Sequence, residues 1–169
     1  MGAGTIIATA FAIILLLITG YILIGGIIST SRIVGMAQQA SAQQEARRSH
    51  TQIEILNAST NTTTSQTFIE VKNTGSELVG NFDNMEVYLL QNGVPYMYMN
   101  QSGPYNWTYT ICSDNLPYVN CQDLVNPGLL DPGEVANITV PFDPAKGNAT
   151  WVKVTTANGV YDSAYTVVV

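Results

Sequence analysis

Charge is scarce in this chain, and its first third has almost none. Only 11% of the 169 residues are Asp, Glu, Lys or Arg, and none of these precedes Arg32. The six basic residues, Arg32, Arg47, Arg48, Lys72, Lys146 and Lys153, form no basic patch in the sequence, which argues against a nucleic-acid partner. The one histidine, His50, stands beside Arg47 and Arg48 and reads as a solvated junction residue rather than a general base. No Ser or Cys sits in a nucleophile motif, and there is neither a P-loop nor a dinucleotide fingerprint. The sequence therefore gives no catalytic or cofactor-binding site, and the expected role is not enzymatic.

Cysteine is nearly absent too. Cys112 and Cys121 flank the stretch CSDNLPYVNC. In an oxidising compartment two close cysteines usually bridge, and so short a loop contributes ~2–3 kcal/mol; free thiols are the alternative. A zinc site needs more ligands than two cysteines and a distant His50, so no metal is expected. Asp114, Asp123, Asp131 and Asp143 lie in loops at a spacing that fits no EF-hand, and turn formation accounts for them.

What the chain does have is a long greasy start. The run AGTIIATAFAIILLLITGYILIGGII is long enough to cross a bilayer core of about 30 Å. Residues 3 to about 48 read as one helix, ~70 Å long at 1.5 Å per residue. Up to Ile28 it is apolar around nearly its whole circumference, the mark of a buried or membrane-spanning helix. Ile6, Ile7, Phe11, Ile14, Leu15, Leu16, Ile18, Tyr21, Ile24 and Ile27 are its main packing candidates. From Arg32 to Arg48, Gln and Glu intersperse with Ile33, Val34, Met36 and Ala, giving an amphipathic continuation. Gly20, Gly25, Gly26 and Gly35 each cost helix propensity of about 1 kcal/mol against Ala, yet small residues let helix backbones approach closely. The run lacks a basic n-region and is too long for a signal-peptide core, so it does not read as a signal peptide; it is either a single anchor or a helix built to pack against several others.

From Thr51 the period becomes two. In TFIEVK, Thr67, Ile69 and Val71 face one way and Phe68, Glu70 and Lys72 the other. Further strands are expected at Met85–Gln91, Val94–Gln101, Trp107–Cys112, Glu134–Val140, Ala149–Thr155 and Val160–Val169. Turn signals such as Asn73-Thr74-Gly75, Asn92-Gly93 and Asp131-Pro132-Gly133 separate them. The reading is α+β: a helix over 1–48, then an antiparallel, Ig-like β-sandwich head over 49–169. Expected core positions are Ile53, Ile55, Ile69, Val71, Val87, Leu89, Ile138, Val140, Val152 and Val154. The aromatic group Tyr96, Tyr98, Tyr105, Trp107 and Tyr109 is either sheet packing or a contact patch. The tail YTVVV is expected to be paired or covered, because a bare apolar edge invites aggregation.

Six Asn-x-Ser/Thr sequons, at Asn57, Asn61, Asn100, Asn106, Asn137 and Asn148, all fall in the head. An Asn/Thr-rich chain makes some by chance. Their absence from the helix is the arrangement of a surface protein with N-linked glycans.

The segment GTIIATAFAIILLLITGYILIGG resembles the N-terminal helix of archaeal type IV pilin-like proteins, including archaellins and adhesion pilins. IEVKNTGSE, LLDPGE and VKVTTANGVYDS resemble the head of archaellum stator-type accessory proteins. The basic leader ending in Gly of that class is absent from this chain, and position 5 is Thr5 rather than the glutamate of bacterial pilins. The resemblance implies a structural subunit of an extracellular filament for motility or adhesion. It would sit in the cytoplasmic membrane before assembly, be handled by filament assembly machinery, and polymerise with copies of itself. The alternative it implies is a membrane-anchored accessory protein whose head binds the surface layer. A cell-surface adhesion module on a single anchor is the unrelated alternative.

Overall fold

The computed structural model describes residues 3–99, 106–113, 121–123 and 125–169. The chain divides into two compact units, Met1–Glu45 and Ala46–Val169.

The first unit is most of α1, Ala3–His50. The segment has no proline and is rich in Ala, Leu and Ile, so its backbone hydrogen bonds close within the helix. Two of its hydroxyls are folded back onto it: Thr19 Oγ1 donates to the Leu15 carbonyl (2.9 Å) and Thr30 Oγ1 to that of Gly26 (2.9 Å).

The second unit is a sandwich of two sheets. Its strands are β1 (Ile53–Asn61), β2 (Gln66–Asn73), β3 (Glu86–Gln91), β4 (Val94–Met99), β5 (Thr108–Cys112), β6 (Val135–Pro141), β7 (Ala149–Thr155), β8 (Tyr161–Tyr165) and β9 (Val167–Val168). One sheet runs β5-β6-β2-β1-β9 and the other β4-β3-β7-β8. Burial alternates along β2, β3 and β7, which turns one side of each sheet into the core. Nine of the ten core positions expected from the alternation are buried; Ile55 is half-buried. The exception has a local cause. The β1–β2 register slips between Ile55 and Asn57, and Leu56 bulges outward. At the bulge the Ile55 N–H donates to the Asp162 carboxylate (2.8 Å).

Two details depart from the antiparallel expectation. The tail is not one strand: β8 ends at Tyr165, and Val167–Val168 changes sheets to pair parallel with Ser59 and Thr60 of β1. Thr166 makes the crossing, donating its N–H to the Thr150 carbonyl (3.1 Å) and its hydroxyl to that of Ala149 (2.6 Å). The aromatic group also divides. Trp107 and Tyr98 are buried, Tyr96 and Tyr109 are half-buried, and Tyr105 lies outside the described residues. Tyr109 stacks on Phe82 at 4.1 Å between ring centres. Among the described residues of the group this is sheet packing rather than an exposed contact patch.

Two buried amides hold the loops to the sheets. Gln91 is fully buried: its Nε2 donates to the carbonyls of Asp143 (3.2 Å) and Gly147 (2.6 Å), and its Oε1 accepts from the Tyr98 hydroxyl (2.7 Å). Asn73 does the same at the opposite loops. Its Nδ2 donates to the carbonyls of Glu77 and Leu130 (both 2.9 Å), and its Oδ1 accepts from the Gly75 N–H (3.0 Å). The Asn73 backbone exchanges hydrogen bonds with Glu134 and Gly133, so the Asn-Thr-Gly and Asp-Pro-Gly-Glu turns are one assembly.

That assembly also receives the last turn of α1. The His50 carbonyl accepts from the N–H groups of Ser76 (2.9 Å) and Glu77 (3.2 Å). Thr51 Oγ1 donates to the Arg47 carbonyl (2.9 Å) and accepts from Asn158 Nδ2 (2.7 Å). The helix-end carbonyls that would otherwise lack partners are thereby capped by the head. Gly75 sits where a Cβ would overlap the backbone of His50 and Gln52.

Two stability predictions follow from these contacts. Gln91→Ala strands two part-buried carbonyls and a buried tyrosine hydroxyl, and is expected to lower the unfolding free energy of the head by about 2–4 kcal/mol in urea titrations. Gly75→Ala is expected to cost at least ~2 kcal/mol in thermal melts, because backbone rather than a flexible side chain blocks the new methyl. Ser76→Ala is the control. Its hydroxyl meets only the His50 ring at 3.4 Å, and the cost should stay under ~0.5 kcal/mol.

Candidate assembly surface

The large apolar side chains of α1 are exposed all the way round. Between Ile7 and Met36 their exposure runs from 49% at Val34 to 82% at Tyr21, so no side of the helix is a core face of its own unit. Ile7, Phe11, Ile14, Leu15, Leu16, Ile18, Tyr21, Ile24 and Ile27 all belong to this surface; the side chain of Ile6 lies outside the described residues. The helix is long and apolar enough to cross a membrane. Covering one such side chain is worth about 1.5–3 kcal/mol, so the nine together leave on the order of 15–25 kcal/mol unrealised in water. That sum exceeds the whole stability of a typical domain. Lipid or other protein has to cover this surface.

The glycines point to what kind of cover it accepts. At Gly4, Gly20, Gly25, Gly26 and Gly35 an added Cβ would meet nothing within 4 Å. Nothing in the chain's own packing requires them, although each weakens the helix. Gly26 and Gly35, with Thr30, Ser31 and Val34, line a shallow groove walled by Ile22, Leu23 and Ile27. Small residues at such a groove would let another helix backbone approach.

The remaining candidate residues are spread over the head. Cys112 and Cys121 are joined in a disulfide, with Cα atoms 4.6 Å apart, at the end of β5. Among the sequon asparagines, Asn57, Asn106 and Asn148 are exposed. Asn61 ends β1 and its Oδ1 accepts from the N–H groups of Thr63 (2.9 Å) and Thr64 (3.1 Å). Asn137 lies in β6 with its Nδ2 3.1 Å from Cys112 Sγ. Asn100 lies outside the described residues. Asp123, Asp131 and Asp143 each accept a hydrogen bond within a turn, from Gly128 N–H, Asn126 Nδ2 and Ala145 N–H respectively; Asp114 lies outside the described residues.

One surface escaped the reading by motif. Tyr88, Trp151, Tyr161 and Tyr165 stand on the outward side of the second sheet, at positions alternating with core residues. The period of two that located the core also locates them, on the opposite side of each strand. The hydrogen bond from the Tyr88 hydroxyl to Glu86 (2.8 Å), aided by burial and the carboxylate charge, holds the phenol above its ordinary pKa, so it keeps its proton.

Comparison with known proteins fits a greasy helix carrying a β head. The archaeal-type flagellin family matches residues 2–165. An uncharacterized protein of Archaeoglobus fulgidus is 26% identical over 164 residues, covering 97% of this chain and 95% of its own. Among solved structures, the archaellum periplasmic stator protein FlaG from Sulfolobus acidocaldarius is similar with a TM-score of 0.47 and 24% identity, over 68% of this chain and 97% of that one. The stator complex of FlaF and FlaG from the same organism contains a chain similar at a TM-score of 0.48 and 20% identity, over 67% of this chain and 86% of that one. With the match running through helix and head alike, this chain belongs to the archaeal-type flagellin family.

Proposed function

We propose that the chain is a structural subunit of an archaeal extracellular filament, with α1 packing among copies of itself in the core and the β head forming the outer shell. The observation that carries this reading is the exposure of apolar side chains on every side of α1. A helix that only anchors a head satisfies lipid equally well, but it has no use for unrequired glycines lining a groove. In this account the same surface is covered twice, first by lipid in the cytoplasmic membrane and then by neighbouring helices after extraction by assembly machinery. The work is structural, for motility or adhesion, and requires no cofactor. Asn57, Asn106 and Asn148, the exposed sequon asparagines among the described residues, are the candidates to carry N-linked glycans on the shell.

Leu15→Lys tests the proposal. A lysine near the middle of the uncharged run costs ~2.5–3.5 kcal/mol in a bilayer, and the cost recurs in every subunit of a packed core. The expected outcome is loss of filaments by electron microscopy, with the variant chain still detectable in cells. Filaments of normal number and length would contradict the proposal. A wild-type chain confined to the membrane, with its head bound to surface-layer protein, would replace it with the anchored accessory role.

A further inference from the structure

The sequons are not equivalent once the chain is folded. Asn106 and Asn148 precede β5 and β7, Asn61 ends β1, and Asn57 sits at the β1 bulge. Asn137 lies inside β6, which is paired on both sides. It stands opposite Glu70 of β2 and Thr110 of β5. The middle residue of its sequon, Ile138, is buried in the core. The segment Asn137-Ile138-Thr139 is therefore extended backbone, and it cannot leave the sheet without breaking both ladders of β6.

The Asn137 amide is also covered. Its Nδ2 lies 3.1 Å from Cys112 Sγ and 3.8 Å from Cys121 Sγ, within reach of both sulfurs of the disulfide. Asn137 is half-buried and Cys112 fully buried. Cys112 ends β5, which is at the edge of its sheet, so the bond to Cys121 ties that edge down beside the amide. Asn61 differs in this respect. The N–H groups of Thr63 and Thr64 donate to its amide oxygen, not to the nitrogen a sugar would need.

Glycan transfer forms a bond between the asparagine Nδ2 and the anomeric carbon of a sugar carried on a lipid phosphate. The nitrogen gives up one proton, and the lipid phosphate leaves with the electron pair of the broken sugar–oxygen bond. Acceptor sequons accordingly sit on accessible surface loops. In the bridged head, sulfur stands where a sugar on the Asn137 Nδ2 would begin, and the sequon backbone is locked in a central strand. Without the bridge, the end of β5 loses its covalent tether and the edge of the sheet opens more readily.

We infer that the Cys112–Cys121 disulfide decides whether Asn137 is modified. Once the bridge closes, this amide is withheld from glycan transfer. A chain that meets the transferase with its thiols still reduced is glycosylated there, and the sugar then keeps the two sulfurs from meeting. Bridge and sugar at Asn137 therefore exclude each other on one molecule. The inference rests on the reading of the head as glycan-bearing. It holds whether α1 is packed in a filament or in lipid.

The test is mass spectrometry of the full-length chain from a glycosylating archaeal host, digested without reduction. Sugar at Asn57, Asn106 or Asn148 reports on the glycan reading, and sugar at Asn137 on this inference. Wild type is expected to be bare at Asn137. In Cys112→Ala/Cys121→Ala, occupancy at Asn137 is expected to rise roughly tenfold or more. Gln91→Ala weakens the head but keeps the bridge, so it should leave Asn137 bare. That variant separates the bridge from stability in general. Three results would each overturn the inference: sugar at Asn137 on bridged molecules, a cysteine-free chain modified at the exposed sites but bare at Asn137, or equal occupancy of Asn137 in Gln91→Ala and the cysteine-free chain. Exposed sequons bare in every chain would instead contradict the glycan reading, and this inference with it.

Discussion

A helix without charge as far as Ser31, and apolar on all sides, has to be covered by something other than water, and much of this chain is arranged around that requirement. The helix has no buried side of its own, the hydroxyls of Thr19 and Thr30 are turned back onto carbonyls, and the charges are kept beyond the run. Such a surface tolerates lipid but gains nothing specific from it. Between apolar helices in lipid there is no hydrophobic force, so any preference for protein neighbours comes from close packing. The glycines of α1 supply the room for that packing at a cost in helix propensity.

The head solves a different problem by different means. Its core is made by alternation, with valine and isoleucine facing inward from both sheets, and its loops are tied down by the buried amides of Gln91 and Asn73. The last turn of α1 is built into the head through His50 and Thr51. The three head motifs quoted for the family resemblance, around Asn73, Asp131-Pro132-Gly133-Glu134 and Asn158, gather in this region.

Much of this architecture was legible in the sequence. The helix is set by an uninterrupted apolar run, and β2, β3 and β7 by period-two alternation that puts Ile69, Val87 and Val152 inside. The Ile55 bulge was not legible, because its partner, the Asp162 carboxylate, is 107 positions away. Nor was the parallel turn of the tail: YTVVV reads as one strand, and only the hydrogen bonds of Thr166 to another strand divide it. Trp107 and Tyr98 carry the same letters as a ligand-binding patch, and only the packing of two sheets shows that they are core. The aromatic row of the second sheet was hidden for the converse reason. Its residues are far apart in sequence and meet only through strand register.

The central claim is that copies of this chain, rather than lipid alone, end up covering α1. The most direct measurement is microscopy with mass spectrometry on material sheared from the cell surface. The account predicts thin filaments with this chain as their main component. Filaments made of other proteins, with this chain left in the membrane pellet, would contradict it.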